Sequence, residues 1–107
     1  MRIKWRKSNE IEWTVKILPN QGVIIARASL VHVKTKPMIV RKIVFLAKRG
    51  SSKTLFEEWY TLEDFKKIVS AEKALAEMEE LSDIAVELEE VVNKLIAIKE
   101  KVVKHEE

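Results

Sequence analysis

The sequence predicts an α+β fold, a four- to five-stranded antiparallel sheet followed by a long C-terminal coiled-coil-like helix. Three observations predict it. Through the first 60 residues apolar and polar side chains alternate between clusters of turn residues. From 61 to 107 there is no Gly or Pro, and apolar residues repeat every seven. Charge divides near the same boundary: residues 1–53 hold 13 Lys/Arg against Glu10 and Glu12 alone, whereas residues 54–107 hold 7 Lys against 15 Asp/Glu. The 107 residues therefore read as one domain with a basic sheet over 1–60 and an acidic helical region over 61–107.

Ile3 and Trp5 start a leading strand, which turns through Lys7-Ser8-Asn9-Glu10. Ile11, Trp13, Val15 and Ile17 alternate with Glu12, Thr14 and Lys16, the period of a half-buried strand. Leu18-Pro19-Asn20-Gln21-Gly22 supplies a turn, because Pro presets φ and Gly tolerates positive φ. Val23 to about Val33 is a long apolar strand interrupted by Arg27 and His32, and Thr35-Lys36-Pro37 breaks it. Met38 to Ala47 is the next strand, with Arg41-Lys42 in its middle. The basic loop Lys48-Arg49-Gly50-Ser51-Ser52-Lys53 precedes a last strand over Leu55 to Tyr60. Connections this short imply an antiparallel meander.

Thr61 with Asp64 has the spacing of a helix N-cap. A helix over 61–104 is about 66 Å long at ~1.5 Å per residue. A domain of this size has a radius of gyration near ~13 Å. Such a helix must break, fold back or project into a partner, and Ser70 is the expected place for a bend. Met78, Ala85, Val92 and Lys99 fall seven apart, as do Leu81, Leu88, Leu95 and Val102, giving the a and d positions of a coiled coil. Ile84, Val91 and Ile98 form a third apolar column at g, which favours more than two helices, or packing against the sheet as well. The expectation is a homo-oligomer, a tetramer ahead of a dimer. An ordinary amphipathic helix lying over the sheet is the alternative.

With 47% apolar and 35% charged residues and no long apolar run, the composition excludes a disordered chain and a spanning helix. The N-terminus, Met1-Arg2-Ile3-Lys4-Trp5, has no signal core, so a cytoplasmic location is expected. Lys and Glu each occur 15 times against 4 Asn and Gln, the trend of hyperthermophiles, which points to an archaeal source. No cysteine is present, and His32 and His105 cannot form a metal cage by themselves. Glu57 and Glu58 are adjacent on a strand and face opposite ways, so they cannot pair across a substrate. The two glycines make no phosphate loop. No enzyme activity, metal or cofactor is expected.

The basic half carries the functional signal. Single-stranded nucleic acid offers phosphates, which Lys and Arg neutralise, and unstacked bases, which aromatic rings stack. Arg2, Lys4, Arg6, Lys16, Arg27, Arg41, Lys42, Lys48 and Arg49 are the expected phosphate contacts. Trp5, Trp13, Trp59 and Phe45 are the expected base contacts. Arg27, Arg41 and Lys42 are the sharpest, because a charge inside an apolar strand is costly unless it faces water or a ligand. Several of these residues have a second reading. Trp13 shares a face with Ile11, Val15 and Ile17 and fits the core equally well. Trp59 and Tyr60 face opposite ways, so one belongs to the core, and Phe45 alternates with Ile43 as a buried residue would. The basic residues before Ser8 also serve to guard an edge strand against aggregation.

A basic sheet followed by an acidic, zipper-like helix resembles the ThermoDBP group of archaeal single-stranded DNA-binding proteins. That resemblance implies single-strand binding by an apolar, aromatic sheet cleft with basic rims, and assembly through the C-terminal helix. Trp59-Tyr60-Thr61-Leu62-Glu63-Asp64-Phe65-Lys66-Lys67 is similar to the strand-to-helix junction of PC4-like transcriptional coactivators, which also bind single strands. The helical region here is much longer than theirs. The expected function is sequence-tolerant binding of single-stranded DNA. The alternatives are an RNA-binding module, or a protein assembly factor that uses the long helix and meets no nucleic acid. No membrane partner is expected.

Overall fold

Five strands form one antiparallel sheet in the order β1-β2-β3-β4-β5, each beside its neighbour in sequence. They are β1 (Lys4–Lys7), β2 (Glu10–Leu18), β3 (Gly22–Val33), β4 (Lys36–Ala47) and β5 (Ser52–Thr61). Two helices follow, α1 (Leu62–Met78) and α2 (Ser82–Glu106). This computed structural model describes residues 3–106, and side chains for residues 3–99. Arg2 and the Val102 side chain lie outside the described residues. The meander matches expectation, with two shifts: the β3–β4 turn is Lys34-Thr35, both at positive φ, so that Lys36 and Pro37 already belong to β4, and β5 begins at Ser52, taking Ser52 and Lys53 from the expected basic loop. At the β2–β3 turn Asn20 takes positive φ, and Gly22 pairs so closely with β4 that a Cβ there would lie 2.1 Å from the Leu46 carbonyl oxygen.

The helices cover one face of the sheet. Ile11, Trp13, Ala26, Ala28, Leu30 and Ile39 point to that side and form the core with Leu62, Phe65 and Val69 of α1 and Leu88, Val91 and Leu95 of α2. Ala26 and Ala28 are small, so the helices can approach the middle of the sheet. The opposite face carries no helix, yet Ile25, Val40 and Val44 are buried on it between the charged residues. A β-bulge at Val15 interrupts the alternation of β2. Trp13 therefore faces the core, whereas Ile17, expected beside it, pairs with Val23 and is 71% exposed. The indole of Trp13 is 7% exposed and committed to the core, which corrects its expected role as a base contact.

The long C-terminal helix is the main correction. Thr61 caps α1 as expected, its hydroxyl accepting from the Asp64 N–H at 3.2 Å. Ser70 lies inside α1 and marks no bend. The chain instead reverses at Glu79-Glu80-Leu81. Glu80 adopts φ +62°, the Leu81 N–H donates to the Ala76 carbonyl and the Glu80 N–H to the Glu77 carbonyl. These are the two bonds of a Schellman stop, usually built on Gly. A left-handed non-glycine residue costs roughly 1–2 kcal/mol. Each aliphatic side chain that α2 then buries is worth about 1.5–3 kcal/mol, so Leu88, Val91 and Leu95 outweigh the turn.

The heptad residues divide accordingly. Ala85, Leu88, Val91 and Leu95 are buried within the chain, and Ile84, Val92 and Ile98 pack against the same core. Met78 and Leu81 are exposed at the helix turn. The apolar stripe therefore covers the chain's own sheet, because one sheet face and one helix cannot bury each other's apolar surface without α2. Glu80→Gly is expected to raise stability by up to about 1 kcal/mol by removing the strained cap. Leu95→Ala is expected to lower it by about 2–5 kcal/mol. Urea unfolding measures both, and a neutral Leu95→Ala would place that residue outside the core.

Candidate nucleic-acid interface

Cross-strand registry arranges the open face. Lys4 pairs with Glu12, Glu12 with Arg27, Arg27 with Lys42, and Lys42 with Glu57, so one charged row crosses all five strands. Within it Arg27 Nε lies 3.0 Å from Glu12 and Lys42 Nζ 3.2 Å from Glu57. Arg6, carried outward by a bulge in β1, meets Glu10 at 2.5 Å and Glu12 at 3.7 Å. Arg41 faces the other way, toward the helices, and contacts Glu72 of α1 at 2.5 Å. The three cations singled out in the strands thus have carboxylate partners from a neighbouring strand or helix. A charge in an apolar strand is tolerated here by pairing, an answer that the spacing along the chain does not contain. Lys4 and Lys7 form no ion pair with any described residue.

A concavity of about 250 Å³ lies on this face. Ser29, Val31 and Val40 form its floor. Lys7, Asn9 and Glu10 stand on one side, and Lys42, Glu57 and Trp59 on the other. Trp59 pairs with Val40 and is 53% exposed, whereas its neighbour Tyr60 packs against the core and donates its hydroxyl proton to Glu58. Asn9 is fixed by donating its amide to the Leu30 carbonyl at 2.9 Å. Glu10 accepts from Ser29 Oγ at 2.6 Å as well as from Arg6. The site therefore offers one planar apolar surface, two lysines and fixed polar groups. Its volume suits a flat ring rather than a large ligand.

The remaining expected contacts lie elsewhere. Trp5 is 47% exposed but points to the helix side, where Lys94 of α2 sits over its ring at 5.8 Å, within cation–π range. Phe45 is half-buried on the helix side, in a row with Lys16, Ile24 and Lys53 at the far end of the sheet. Lys48 and Arg49 form the exposed turn beside that row. The structure brings Lys4, Arg6, Arg27, Lys42 and Trp59 onto one face and separates Trp5, Trp13, Lys16, Arg41, Phe45, Lys48 and Arg49 from it. Asn9, Glu10 and Ser29 line the site without having been singled out. The one sequence signal for Glu10 was its position, with Glu12, as an isolated acid in a basic stretch.

No family model matches this chain, and no curated protein or solved structure matches it. Among the described residues no group of three His, Cys, Asp or Glu could hold a metal ion, and no helix is long and apolar enough to cross a membrane.

Burial by itself would favour the neutral form of Glu10, but the Ser29 hydrogen bond and the Arg6 guanidinium outweigh it and hold its carboxyl below the usual range. A carboxylate lowered in this way stabilises the fold fully above its unfolded pKa and loses that contribution as pH falls through the folded value. Acidification from about pH 6 to about pH 3 is therefore expected to cost the wild type more stability than Glu10→Gln, read as thermal midpoints at each pH. Equal losses would show that Glu10 is not held by these partners.

Proposed function

We propose that the chain is a non-enzymatic binding protein for single-stranded DNA, tolerant of sequence, using the open face of its sheet. The observation that carries the reading is Trp59, a half-exposed indole at the wall of a concavity flanked by Lys7 and Lys42. A base stacks on any aromatic face regardless of its edge, which makes such contacts sequence-tolerant. Lys4 and Lys7 form no salt bridge among the described residues, although Lys7 lies near Glu10, and they take the phosphates most readily. Arg6, Arg27 and Lys42 contribute only by sharing or exchanging theirs. A sheet surface suits a single strand, whereas duplex readers commonly insert a helix into the major groove, and α1 and α2 lie on the opposite face. Kinship with the ThermoDBP-like group belongs to this proposal and rests on the sheet-first, helix-last layout. So does homo-oligomerisation, which joins several open faces and raises affinity through effective concentration.

The test is a tryptophan-fluorescence titration with a mixed-sequence oligonucleotide of about 25 nucleotides, single-stranded against duplex, DNA against RNA. Single-stranded DNA is expected to quench strongly and duplex weakly. Trp59→Ala is expected to weaken binding by about 5- to 150-fold, the equivalent of ~1–3 kcal/mol for a stacked base. If roughly 4 phosphates are neutralised, log K falls with log salt at a slope near −3. A flat salt response, or an unchanged affinity in Trp59→Ala, would remove the proposal. Tighter binding of matched RNA would redirect it to that ligand.

A further inference from the structure

A second surface lies at the other end of the molecule and on the other face. The strands run past the helices there. Beyond the helix turn the sheet presents half-buried Ile24 and Phe45 between exposed Lys16 and Lys53, a registered row across β2 to β5. An apolar groove of about 330 Å³ separates this overhang from the helix turn, with Val15, Ile43, Leu75 and Leu81 among its walls. Large apolar side chains are exposed around it: Met78 at 82%, with Leu75, Leu81, Val15 and Phe56. Scattered exposed aliphatics need no explanation, but a contiguous patch on two adjoining elements marks a contact surface.

Charge says what fits it. The overhang is basic, with Lys16, Lys48, Arg49 and Lys53 all exposed. The helix turn is acidic, with Glu79, Glu80 and Asp83 all exposed. None of these residues forms an ion pair with another described residue. A two-fold contact must be self-complementary: what one copy offers at one position, its mate must answer at another. A patch of one sign would repel itself, whereas this one carries both signs on opposite banks of an apolar groove.

We propose that two copies of this chain meet here as a two-fold pair, the helix turn of each seated on the sheet overhang of the other. Met78 of each copy enters the apolar row of its mate, and the acidic turn faces the basic strand ends. Of the heptad residues whose side chains are described, this uses Met78 and Leu81, the two that the core leaves exposed. None of the residues of the Trp59 concavity takes part, so the pairing stands independently of the nucleic-acid reading and leaves both open faces accessible.

The test is the solution mass of the full chain without nucleic acid, by light scattering on a sizing column. At about tens of micromolar the expected mass is twice 12.4 kDa or another even multiple. Met78→Glu alters a side chain that the fold does not bury, so circular dichroism and thermal midpoint should stay as in the wild type. It is expected to raise the pair's dissociation constant by about 30-fold or more, the size of a hot-spot loss. Lys16→Glu with Lys53→Glu is expected to weaken the pair, as is Glu79→Lys with Asp83→Lys. Mixing the two variant chains should restore a pair between them. A monomeric wild type, an odd-numbered assembly, an unchanged mass in a folded Met78→Glu, or no recovery on mixing would each overturn the proposal.

Discussion

The reversal at Glu80 is the constraint on which the rest of this structure depends. A sheet with one apolar face needs cover, and α1 lies mainly against β4 and β5. The second half is covered because the chain stops at Met78, turns through a left-handed residue and returns as α2 over β3 and the Trp5 edge. Without that turn the aliphatics of residues 85–95 would project into solvent, and the core around Ile11 and Ala28 would be bare. The local strain is small beside the surface it lets the chain bury.

One consequence is an asymmetric molecule. Because both helices lie on one face, the other face buries only Ile25, Val40 and Val44 and must satisfy its own charges. It does so through strand registry. Lys4, Glu12, Arg27, Lys42 and Glu57 fall in one row only because four antiparallel pairings hold them level. Exposed pairs of this kind contribute modestly to stability, about 0–1 kcal/mol each. Their larger effect here is to distribute charge. They mute the excess of cations at the centre of the sheet and leave Lys4 and Lys7 near the rim, beside the concavity that Trp59 overlooks.

A second consequence is spatial separation. The concavity lies near the β1–β2 turn on the open face, whereas the apolar overhang lies near the β2–β3 and β4–β5 turns on the helix face. Bulges at Val15 in β2 and at Leu55 in β5 contribute, since each re-aims the strand beyond it. Basic residues that are neighbours in composition thus serve different surfaces. Arg41 and Lys42 are adjacent in sequence, yet one braces α1 and the other stands in the charged row.

The sequence by itself determined the α+β class, an antiparallel meander of four or five strands with ends within about three residues, the Thr61 cap and that one of Trp59 and Tyr60 is buried, whereas the tertiary structure decided that it is Tyr60. The former are local properties: period-two hydrophobicity, turn chemistry and capping depend on residues close in the chain. Only the tertiary structure decided where the helix stops, because Glu80 carries no local stop signal and reverses the chain through packing of residues on either side. Only tertiary structure decided that the heptad stripe would face the chain's own sheet, since a seven-residue repeat reports an apolar face and not what covers it. The partners of Arg27, Arg41 and Lys42 were illegible for the same reason. Glu12 lies 15 residues from Arg27 and Glu72 lies 31 from Arg41, and pairing at that distance exists only once strands are registered and a helix is laid across them.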